Sequence, residues 1–287
     1  MPPIGFPGFG ARNPNAPARP QAPAQSQAKP SPLQIPDLAG KAVLITGAST
    51  GIGAALAVAF AEQKCKVAIH FNTSEKAGLD LAGRIARGGG KVFLVQGDLT
   101  KQADVERVVA QTIEDFGHLD GLINNAGLML GRVPTTEASD EHFTNVLDLN
   151  ARSVFAMSRA CVPHIKAAGG GFIINTTSIA ARNGGGGGAV LYAAAKGFVS
   201  TFTKGQAKEL IGDRIRVNAV APGVIDTPFH ERYSNAEQIE AMRKSVPMAR
   251  LGTPDDCVGA YLFLASELLS GYVIGQVIEV NGGQLMP

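Results

Sequence analysis

Short apolar runs alternate with helix-length segments along most of this chain, starting at Lys41. Two of the runs, Ala42-Val43-Leu44-Ile45 and Phe172-Ile173-Ile174, are continuously apolar, which is typical of strands buried on both faces. Such strands form parallel sheets, in which helices connect successive strands. The pattern predicts seven strands, near residues 42–46, 66–71, 91–96, 120–124, 171–176, 214–220 and 276–280.

The predicted fold is α/β, a single doubly wound Rossmann-type domain with a seven-stranded parallel sheet. Right-handed crossovers that wind both ways from the first strand place helices on both faces, and ligands bind at the carboxyl ends of the strands. Glycine runs at 88–90 and 184–188 fall between elements and are interpreted as loops. Residues 37–287 are therefore expected to form one domain.

Residues 1–36 differ in composition from the rest. They hold ten of the seventeen prolines and no acidic residue. This composition predicts a disordered Pro/Ala-rich arm, used as a linker or to face a partner. The proline density disfavours the amphipathic helix of a transit peptide, and the segment lacks the apolar core of a secretion signal.

Charge and cysteine usage restrict the partners. A formal net charge of +2, with basic and acidic residues intermixed, gives no reason to expect nucleic acid or a membrane as partner. Three widely spaced cysteines favour a reducing compartment, and neither they nor the five histidines have metal-ligand spacing, so no metal is expected. We expect a cytoplasmic protein that acts on a small molecule.

The segment Thr46-Gly47-Ala48-Ser49-Thr50-Gly51-Ile52-Gly53 follows the first predicted strand and opens a helix. Backbone N–H groups and the helix dipole can receive a pyrophosphate at such a place, where glycines permit close approach. A glycine cluster alone is often an ordinary loop, but the strand before it and the helix after it favour a dinucleotide site. Three residues separate Gly47 from Gly51, so the spacing is not GxGxxG.

Tyr192 and Lys196 are four residues apart and share one face of a predicted helix. An ammonium beside a phenol favours the ionised phenol, so Lys196 is expected to lower the pKa of Tyr192 from about 10. Ser178 lies fourteen residues upstream, with Thr177 as its rival, and the glycines at 184–188 allow it to reach the same substrate oxygen. Each residue alone is better explained as structural, but together they indicate carbonyl–alcohol chemistry.

These motifs resemble the short-chain dehydrogenase/reductase family, especially its 3-oxoacyl-thioester reductase-like members. The resemblance covers Leu38 to Pro287 and includes Asn124-Asn125-Ala126-Gly127 after the fourth strand. It implies hydride transfer between a nicotinamide cofactor and a carbonyl or secondary alcohol. It also implies that Tyr192 is the general acid or base, that Ser178 binds the substrate oxygen, and that Lys196 holds the nicotinamide ribose, with Asn150 fixing a water that relays protons to Lys196.

The resemblance places the adenine at Asp98 and Leu99, although Asp98 is equally well explained as a helix N-cap. It places the nicotinamide amide beside the segment after the sixth strand. The full set of expected cofactor contacts is Gly47, Ser49, Thr50, Gly51, Ile52, Gly53, Asn72, Thr73, Ser74, Asp98, Leu99, Asn125, Ala126, Gly127, Tyr192, Lys196, Pro222, Gly223, Val224, Ile225 and Thr227.

The end of the second strand bears on cofactor choice. NAD enzymes usually carry an acid there, which binds the adenosine ribose and repels a 2′-phosphate. Here Asn72, Thr73 and Ser74 follow the strand, with Lys76 as an added charge, so NADP(H) is favoured and NAD(H) is the alternative. Thr50 stands where many NADP-preferring relatives have a basic residue, which weighs against this choice.

The sequence thus predicts an NADP(H)-dependent reductase of a carbonyl compound. An NAD-dependent alcohol dehydrogenase and a non-catalytic nucleotide-sensing or scaffold protein are the alternatives. Residues 226–250 are expected to form a substrate lid, and Arg132 and Arg182 are candidates for contact with an anionic substrate. By analogy with the family we expect a homotetramer or homodimer, for which the small residues of Ala193 to Gly197 offer a packing face.

Overall fold

The computed structural model describes residues 34–287, apart from the side chains of residues 230 and 231. The predicted arm therefore lies, up to residue 33, outside the described residues. Its last residues are packed, because Ile35 is buried and its backbone N–H donates to Gln63 Oε1 at 2.7 Å. Pro36 then begins a 3-10 helix, Pro36–Leu38. Residues 35 and 36, which the prediction assigned to the arm, are therefore part of the folded domain.

Within the described residues, seven parallel strands form one sheet in the order β3-β2-β1-β4-β5-β6-β7. This arrangement confirms the predicted doubly wound α/β fold, and the predicted strands agree with the observed ones to within two residues at either end. The strands are β1 Ala42–Ile45, β2 Lys66–Phe71, β3 Lys91–Gln96, β4 Gly121–Asn124, β5 Gly171–Thr176, β6 Ile215–Pro222 and β7 Val277–Val280.

Helices occupy the connections between the strands. They are α1 Gly51–Glu62, α2 Glu75–Arg87, α3 Gln102–Phe116, α4 Asp140–Leu147, α5 Ser153–Ala167, α6 Ala180–Asn183, α7 Val190–Leu210, α8 Pro228–Tyr233, α9 Ala236–Ser245, α10 Pro254–Ala265 and α11 Glu267–Ser270. A π-helical turn, Asp148–Arg152, joins α4 to α5. Of the helices described, none combines the length and the apolar character that a bilayer crossing requires.

Both faces of the sheet are covered, which explains its continuously apolar strands. In β1, Val43 packs in a cluster with Phe60 of α1, whereas the next residue, Leu44, packs in a second cluster with Met157 of α5. Successive side chains of a strand point to opposite faces, so a strand between two helical layers needs apolar residues at every position.

The winding direction of the sheet changes at β1. This strand pairs with β2 on one side and with β4 on the other, and the chain crosses from one half of the sheet to the other between β3 and β4. The loops that follow β1 and β4 therefore leave toward opposite faces. Such a switch point creates a crevice at the carboxyl ends of the strands.

Candidate functional site

A cleft of about 580 Å³ opens at the carboxyl ends of the strands. Ser178, Tyr192 and Lys196 line it, whereas Asn150, Gly53 and Asp98 do not. The predicted cofactor residues that also line it are Gly47, Ser49, Thr50, Gly51, Ile52, Asn72, Thr73, Ser74, Leu99, Asn125, Ala126, Gly127, Pro222, Gly223, Val224, Ile225 and Thr227. Segments far apart in the chain thus share one cavity.

Close backbone contacts shape the glycine loop after β1. A Cβ on Gly53 would lie 2.4 Å from Gly47 O, so Gly53 serves the packing of α1 against the loop rather than the cleft surface. A Cβ on Gly47 would lie 2.9 Å from Ala126 Cα. Thr50, the N-cap of α1, makes no side-chain capping bond. The first-turn N–H groups of α1 are therefore available to an anionic ligand.

Asn125 holds the glycine loop from the neighbouring strand. Its Nδ2 donates to Thr46 O and to Gly47 O, both at 3.0 Å. In return, Thr46 Oγ1 accepts from the backbone N–H groups of Asn125 at 2.9 Å and Ala126 at 3.0 Å. The Asn-Asn-Ala-Gly segment therefore keeps the loops after β1 and β4 in register across the switch point.

His70, near the end of β2, is a site residue that sequence reasoning missed. Its Nδ1 lies 3.1 Å from Gly47 N and accepts the backbone hydrogen bond, so its Nε2 carries the proton that faces Gly97 O at 2.9 Å. Burial lowers the pKa of His70 to about 4, which keeps the ring neutral. A histidine in an otherwise apolar buried strand, next to a glycine loop, was the available signal.

The end of β2 presents neutral polar groups to the cleft. Asn72, Thr73 and Ser74 are exposed and line it, and Gln96 Nε2 donates to Asn72 O at 2.9 Å. Lys76, predicted to add positive charge here, does not line the cleft. The surface expected to meet the adenosine ribose thus carries neither an acid nor a base.

Asp98 is held by its own loop instead of lining the cleft. Its Oδ1 accepts from the backbone N–H of Thr100 at 3.1 Å and from the Thr100 hydroxyl at 2.8 Å. Its other oxygen lies 3.5 Å from Lys101 Nζ. These bonds make a local turn of the kind aspartate commonly forms, so of the predicted pair only Leu99 lines the cleft.

Tyr192 and Lys196 lie in the first two turns of α7 and meet at the cleft. Lys196 Nζ is 5.8 Å from the centroid of the Tyr192 ring, as their spacing on a helix predicts. The Lys196 side chain is buried, and its Nζ donates to Thr176 O at 2.9 Å.

The pKa values of this pair differ from the prediction. Burial raises the pKa of the Tyr192 phenol to about 12, although a hydrogen bond with Ser178 acts in the opposite direction. Burial also lowers the pKa of Lys196 to about 8. The predicted lowering of the tyrosine pKa is therefore wrong for this structure, because desolvation disfavours the charged form of both groups. At neutral pH the phenol carries its proton.

Thr177 and Ser178 carry neighbouring hydroxyl groups after β5, but only that of Ser178 can donate a hydrogen bond into the cleft. Thr177 Oγ1 is buried, lies 2.8 Å from Lys196 O and shares a hydrogen bond with Ser200 Oγ at 2.7 Å. Ser178 Oγ accepts a hydrogen bond from the backbone N–H of Ala180 at 3.1 Å, which leaves its own proton for another acceptor.

Asn150 lies behind the cleft wall, in the π-helical turn between α4 and α5. Its Nδ2 donates to Leu128 O at 2.7 Å and to Val146 O at 3.0 Å. Its Oδ1 is buried and has no hydrogen-bond partner in the part of the chain that the structure describes. A Cβ on Gly127 would lie 2.7 Å from this oxygen and 3.0 Å from Lys196 Nζ, so the two polar atoms flank the same glycine.

Helices α8 and α9, which we call the cap, contribute to the wall next to Tyr192. The ring of Phe229 in α8 lies 5.7 Å from that of Tyr192 and 5.2 Å from that of Tyr233, measured between centroids. Met242 of α9 also lines the cleft. The cap lies within the region 226–250 predicted as a lid.

Only one of the two arginines predicted to meet an anionic substrate reaches the cleft. Arg132 lines it, whereas Arg182 does not and instead pairs with Glu279, its Nε 3.3 Å from Oε1.

Residues 47–284 match the family model described as Enoyl-(Acyl carrier protein) reductase. Among solved structures, the NADH-dependent reductase A1-R' responsible for alginate metabolism is 39% identical, with a TM-score of 0.80, over 88% of this chain and 99% of that chain. A structure of NADH-dependent reductase A1-R' complexed with NAD is 37% identical, with a TM-score of 0.79, over 88% of this chain and 100% of that chain.

Two further relatives each align with 87% of this chain. The 3-oxoacyl-(acyl-carrier-protein) reductase of Synechocystis sp. is 36% identical over 249 residues, which are 87% of this chain and 98% of that protein. The 3beta-hydroxysteroid dehydrogenase 1 of Eggerthella lenta is 34% identical over 251 residues, which are 87% of this chain and 95% of that protein.

Proposed function

Because this chain belongs to the short-chain dehydrogenase/reductase family, whose members are NAD(P)-dependent enzymes acting on CH–OH and C=O groups, we propose that it reduces a carbonyl compound with NADP(H). Tyr192 is the proton donor in this proposal. The observation that carries it is the meeting of Tyr192, Ser178 and Lys196 in one cleft with the glycine loop.

The residues of the cleft fit a nicotinamide dinucleotide. The uncapped first turn of α1 suits the pyrophosphate, and the neutral groups of Asn72, Thr73 and Ser74 suit the adenosine ribose. Leu99 would contact the adenine, and Lys196 Nζ would hold the nicotinamide ribose. The segment Pro222–Ile225 and Thr227 would hold the nicotinamide amide. When bound, the reduced cofactor supplies a hydride to the carbonyl carbon.

Tyr192 and Ser178 act on the carbonyl oxygen. As negative charge builds on that oxygen, the Ser178 hydroxyl donates a hydrogen bond to it and Tyr192 transfers its proton. The substrate thereby gains one hydride and one proton and becomes an alcohol. The high pKa of Tyr192, about 12, keeps the donor form populated throughout the neutral range.

Lys196 and Asn150 return a proton to Tyr192 after each turnover. A pKa near 8 allows the Lys196 ammonium to exchange its proton close to neutral pH. The unpartnered Oδ1 of Asn150 and Lys196 Nζ both face the point that a Cβ on Gly127 would take, at 2.7 Å and 3.0 Å, and this proximity supports one water that bridges the two groups. We infer that such a water connects the lysine to solvent. In the oxidation direction the same groups move protons the opposite way.

The preference for NADP(H) rests on the absence of a carboxylate among residues 72–74, where an acid would repel the 2′-phosphate. Only neutral donors would meet the 2′-phosphate, so we expect kcat/KM to be modestly higher for NADPH than for NADH, with detectable use of NADH. The complex of a similar NADH-dependent reductase with NAD supports NAD(H) as the alternative cofactor. Comparing kcat/KM for NADPH and NADH separates the two.

The test of the proposed function is a panel of aldehydes, ketones and 3-oxoacyl thioesters, assayed with NADPH and with NADH by loss of the reduced-cofactor absorbance. Turnover of at least one carbonyl compound, with formation of the matching alcohol, is expected. Tight NADPH binding without turnover of any panel member would contradict the proposal and favour a nucleotide sensor.

We also propose that the chain forms a homotetramer or homodimer. Of the small residues predicted as a packing face, Ala193 and Ala195 are buried in the chain's own core, whereas Ala194 is exposed and Gly197 is half-buried. An aromatic face instead supports the proposal: Phe155 of α5 is 42% exposed and Phe198 of α7 is 45% exposed, and both pack against Phe202. The mass of Phe198→Glu in solution, measured by light scattering, should be smaller than that of the parent protein.

A further inference from the structure

The described residues of the cleft include three cations. Among the residues whose side chains the structure describes, Lys196, Arg132 and Arg232 line it, and no aspartate or glutamate does. Lys196 already has a part in the proposed proton relay, but the two arginines do not. A low-dielectric cleft that carries charge of only one sign concentrates ligands of the opposite sign.

Arg132 is held in position by carbonyl groups. Its Nε donates to Tyr233 O at 2.8 Å, and its Nη1 donates to Gly187 O at 3.1 Å. These bonds tie the loop after β4 to the cap and to the glycine run at 184–188. A carbonyl does not neutralise a guanidinium, and Arg132 has no ion pair with any described residue. Its charge is therefore fixed in place, and no side chain that the structure describes compensates it.

Arg232 is exposed on α8, and its side chain has no hydrogen bond or ion pair with the described residues. Other arginines near the cleft are paired, Arg182 with Glu279 and Arg243 with Glu240. Arg232 lies three residues after Phe229, so the two share a face of the helix, and Phe229 packs on Tyr192. Arg232 thus belongs to the cap helix that packs on the proposed catalytic tyrosine, and it lines the same cleft.

We propose that Arg132 and Arg232 bind an anionic group of the substrate, a carboxylate or a phosphate ester, while its carbonyl oxygen meets Tyr192 and Ser178. This inference rests on the proposed reductase function and narrows its substrate class to anionic carbonyl compounds. A planar guanidinium can donate two parallel hydrogen bonds, and both a carboxylate and a phosphate ester can accept them. Apolar residues of the same cleft, Met129, Leu149 and Phe229, suit the carbon chain between the two ends.

Matched substrate pairs test the inference. Oxo acids of increasing length are compared with their methyl esters, and dihydroxyacetone phosphate is compared with dihydroxyacetone. The anionic member of at least one pair should have the higher kcat/KM. Arg232→Gln should lower kcat/KM for that anion by about 10- to 100-fold, mostly through KM, and leave the neutral partner within about threefold. Arg132→Gln also removes the bonds that hold the cap, so it should lower kcat/KM for both partners, and by a larger factor for the anion. The anion, carboxylate or phosphate ester, whose kcat/KM falls by the larger factor is the anionic group that the arginines bind.

Control measurements distinguish an effect on substrate binding from an effect on cofactor binding and from a general loss of positive charge. Lys244→Gln removes a positive charge from α9 at a residue that does not line the cleft, and should leave all values unchanged. Arg232→Lys should recover part of the loss, because the charge is kept while the bidentate geometry is not. The Kd of NADPH should stay the same in every variant.

The outcomes distinguish this inference from the function on which it rests. Reduction of neutral carbonyl compounds, with equal effects of the arginine variants on anionic and neutral partners, would overturn the inference and leave the reductase function intact. If the arginine variants lost only NADPH affinity, the arginines would bind the cofactor, and the inference would be overturned as well. No turnover of any pair, with either cofactor, would overturn both.

Discussion

The imidazole of His70 accepts a hydrogen bond from the backbone N–H of Gly47, with 3.1 Å between Nδ1 and N. This bond needs an unprotonated Nδ1, because a protonated ring offers only donors. The neutral ring also donates from Nε2 to Gly97 O at 2.9 Å. One side chain therefore joins the glycine loop after β1 to the end of β3, across the adenosine side of the proposed cofactor site.

The stability of the protein should fall in mild acid because of His70. Burial lowers its folded pKa to about 4 from 6.5, so the unfolded chain binds the extra proton first as the pH drops. The stability that the neutral His70 contributes is fully present above pH 6.5 and is lost as the pH falls toward 4. From pH 7 to pH 5 it amounts to about 2 kcal/mol of the free energy of unfolding.

Urea unfolding of the parent protein and His70→Asn at these two pH values measures this effect. An asparagine amide oxygen can accept the Gly47 hydrogen bond without titrating, so the variant should lose about 2 kcal/mol less than the parent protein. The assignment would be rejected by equal losses in the two proteins.

Replacing Tyr192 with phenylalanine should nearly abolish carbonyl reduction. The ring that packs on Phe229 is kept, but the transferable proton is lost, at a cost of about 10²- to 10⁴-fold in kcat. The Kd of NADPH should change little. Tyr272→Phe, at a fully exposed tyrosine, is the matched control and should retain full activity. Near-normal turnover by Tyr192→Phe would show that another group protonates the substrate.

The pH dependence of reduction should follow Lys196. Because the ammonium must be protonated to return a proton to Tyr192 after each turnover, kcat should be constant below about pH 8 and fall about tenfold per pH unit above it. Tyr192, with a pKa of about 12, adds no further break below pH 10. The profile is measured between pH 6 and pH 10. A flat profile over that whole range would exclude Lys196 from proton return.

A methyl group at Gly127 should interrupt the proton relay. In Gly127→Ala the new Cβ would lie 2.7 Å from Asn150 Oδ1 and 3.0 Å from Lys196 Nζ, so one of the two side chains must move. A displacement of about 1 Å in such a site can cost about 100-fold in rate, so we expect kcat to fall by up to this factor.

The matched control is Gly205→Ala, in α7, where a Cβ would meet no atom within 4 Å. This change should leave kcat unchanged and stabilise the helix by about 0.5–1 kcal/mol. Full activity in Gly127→Ala, in a protein of unchanged melting temperature, would show that the space between Asn150 and Lys196 is not used.

Much of the fold followed from local patterns. β5, which lies at Gly171–Thr176, has buried residues in five of its six positions, and its sequence is apolar through Phe172-Ile173-Ile174. Strands between two helical layers leave this signal because water reaches neither face. The cleft was also predictable, since the glycine loop and the Asn-Asn-Ala-Gly segment follow strands that meet at the switch point.

The roles of individual side chains at the site were harder to predict from the sequence. Asp98 was expected in the cleft, but its carboxylate bonds to Thr100 in its own turn. His70 received no role, yet it lines the cleft and holds the glycine loop. Both outcomes depend on hydrogen bonds that the order of residue types does not specify.

The amino-acid sequence by itself determined the strands, their parallel arrangement, and the spacing that brings Tyr192 and Lys196 to one helical face. Those properties depend on periodicity, which is local. Only the tertiary structure decided that Ser178 rather than Thr177 has a proton to donate, that Arg132 rather than Arg182 lines the cleft, and that the pKa of Tyr192 is raised. Burial and hydrogen-bond partners set these properties, and both come from residues distant in the chain.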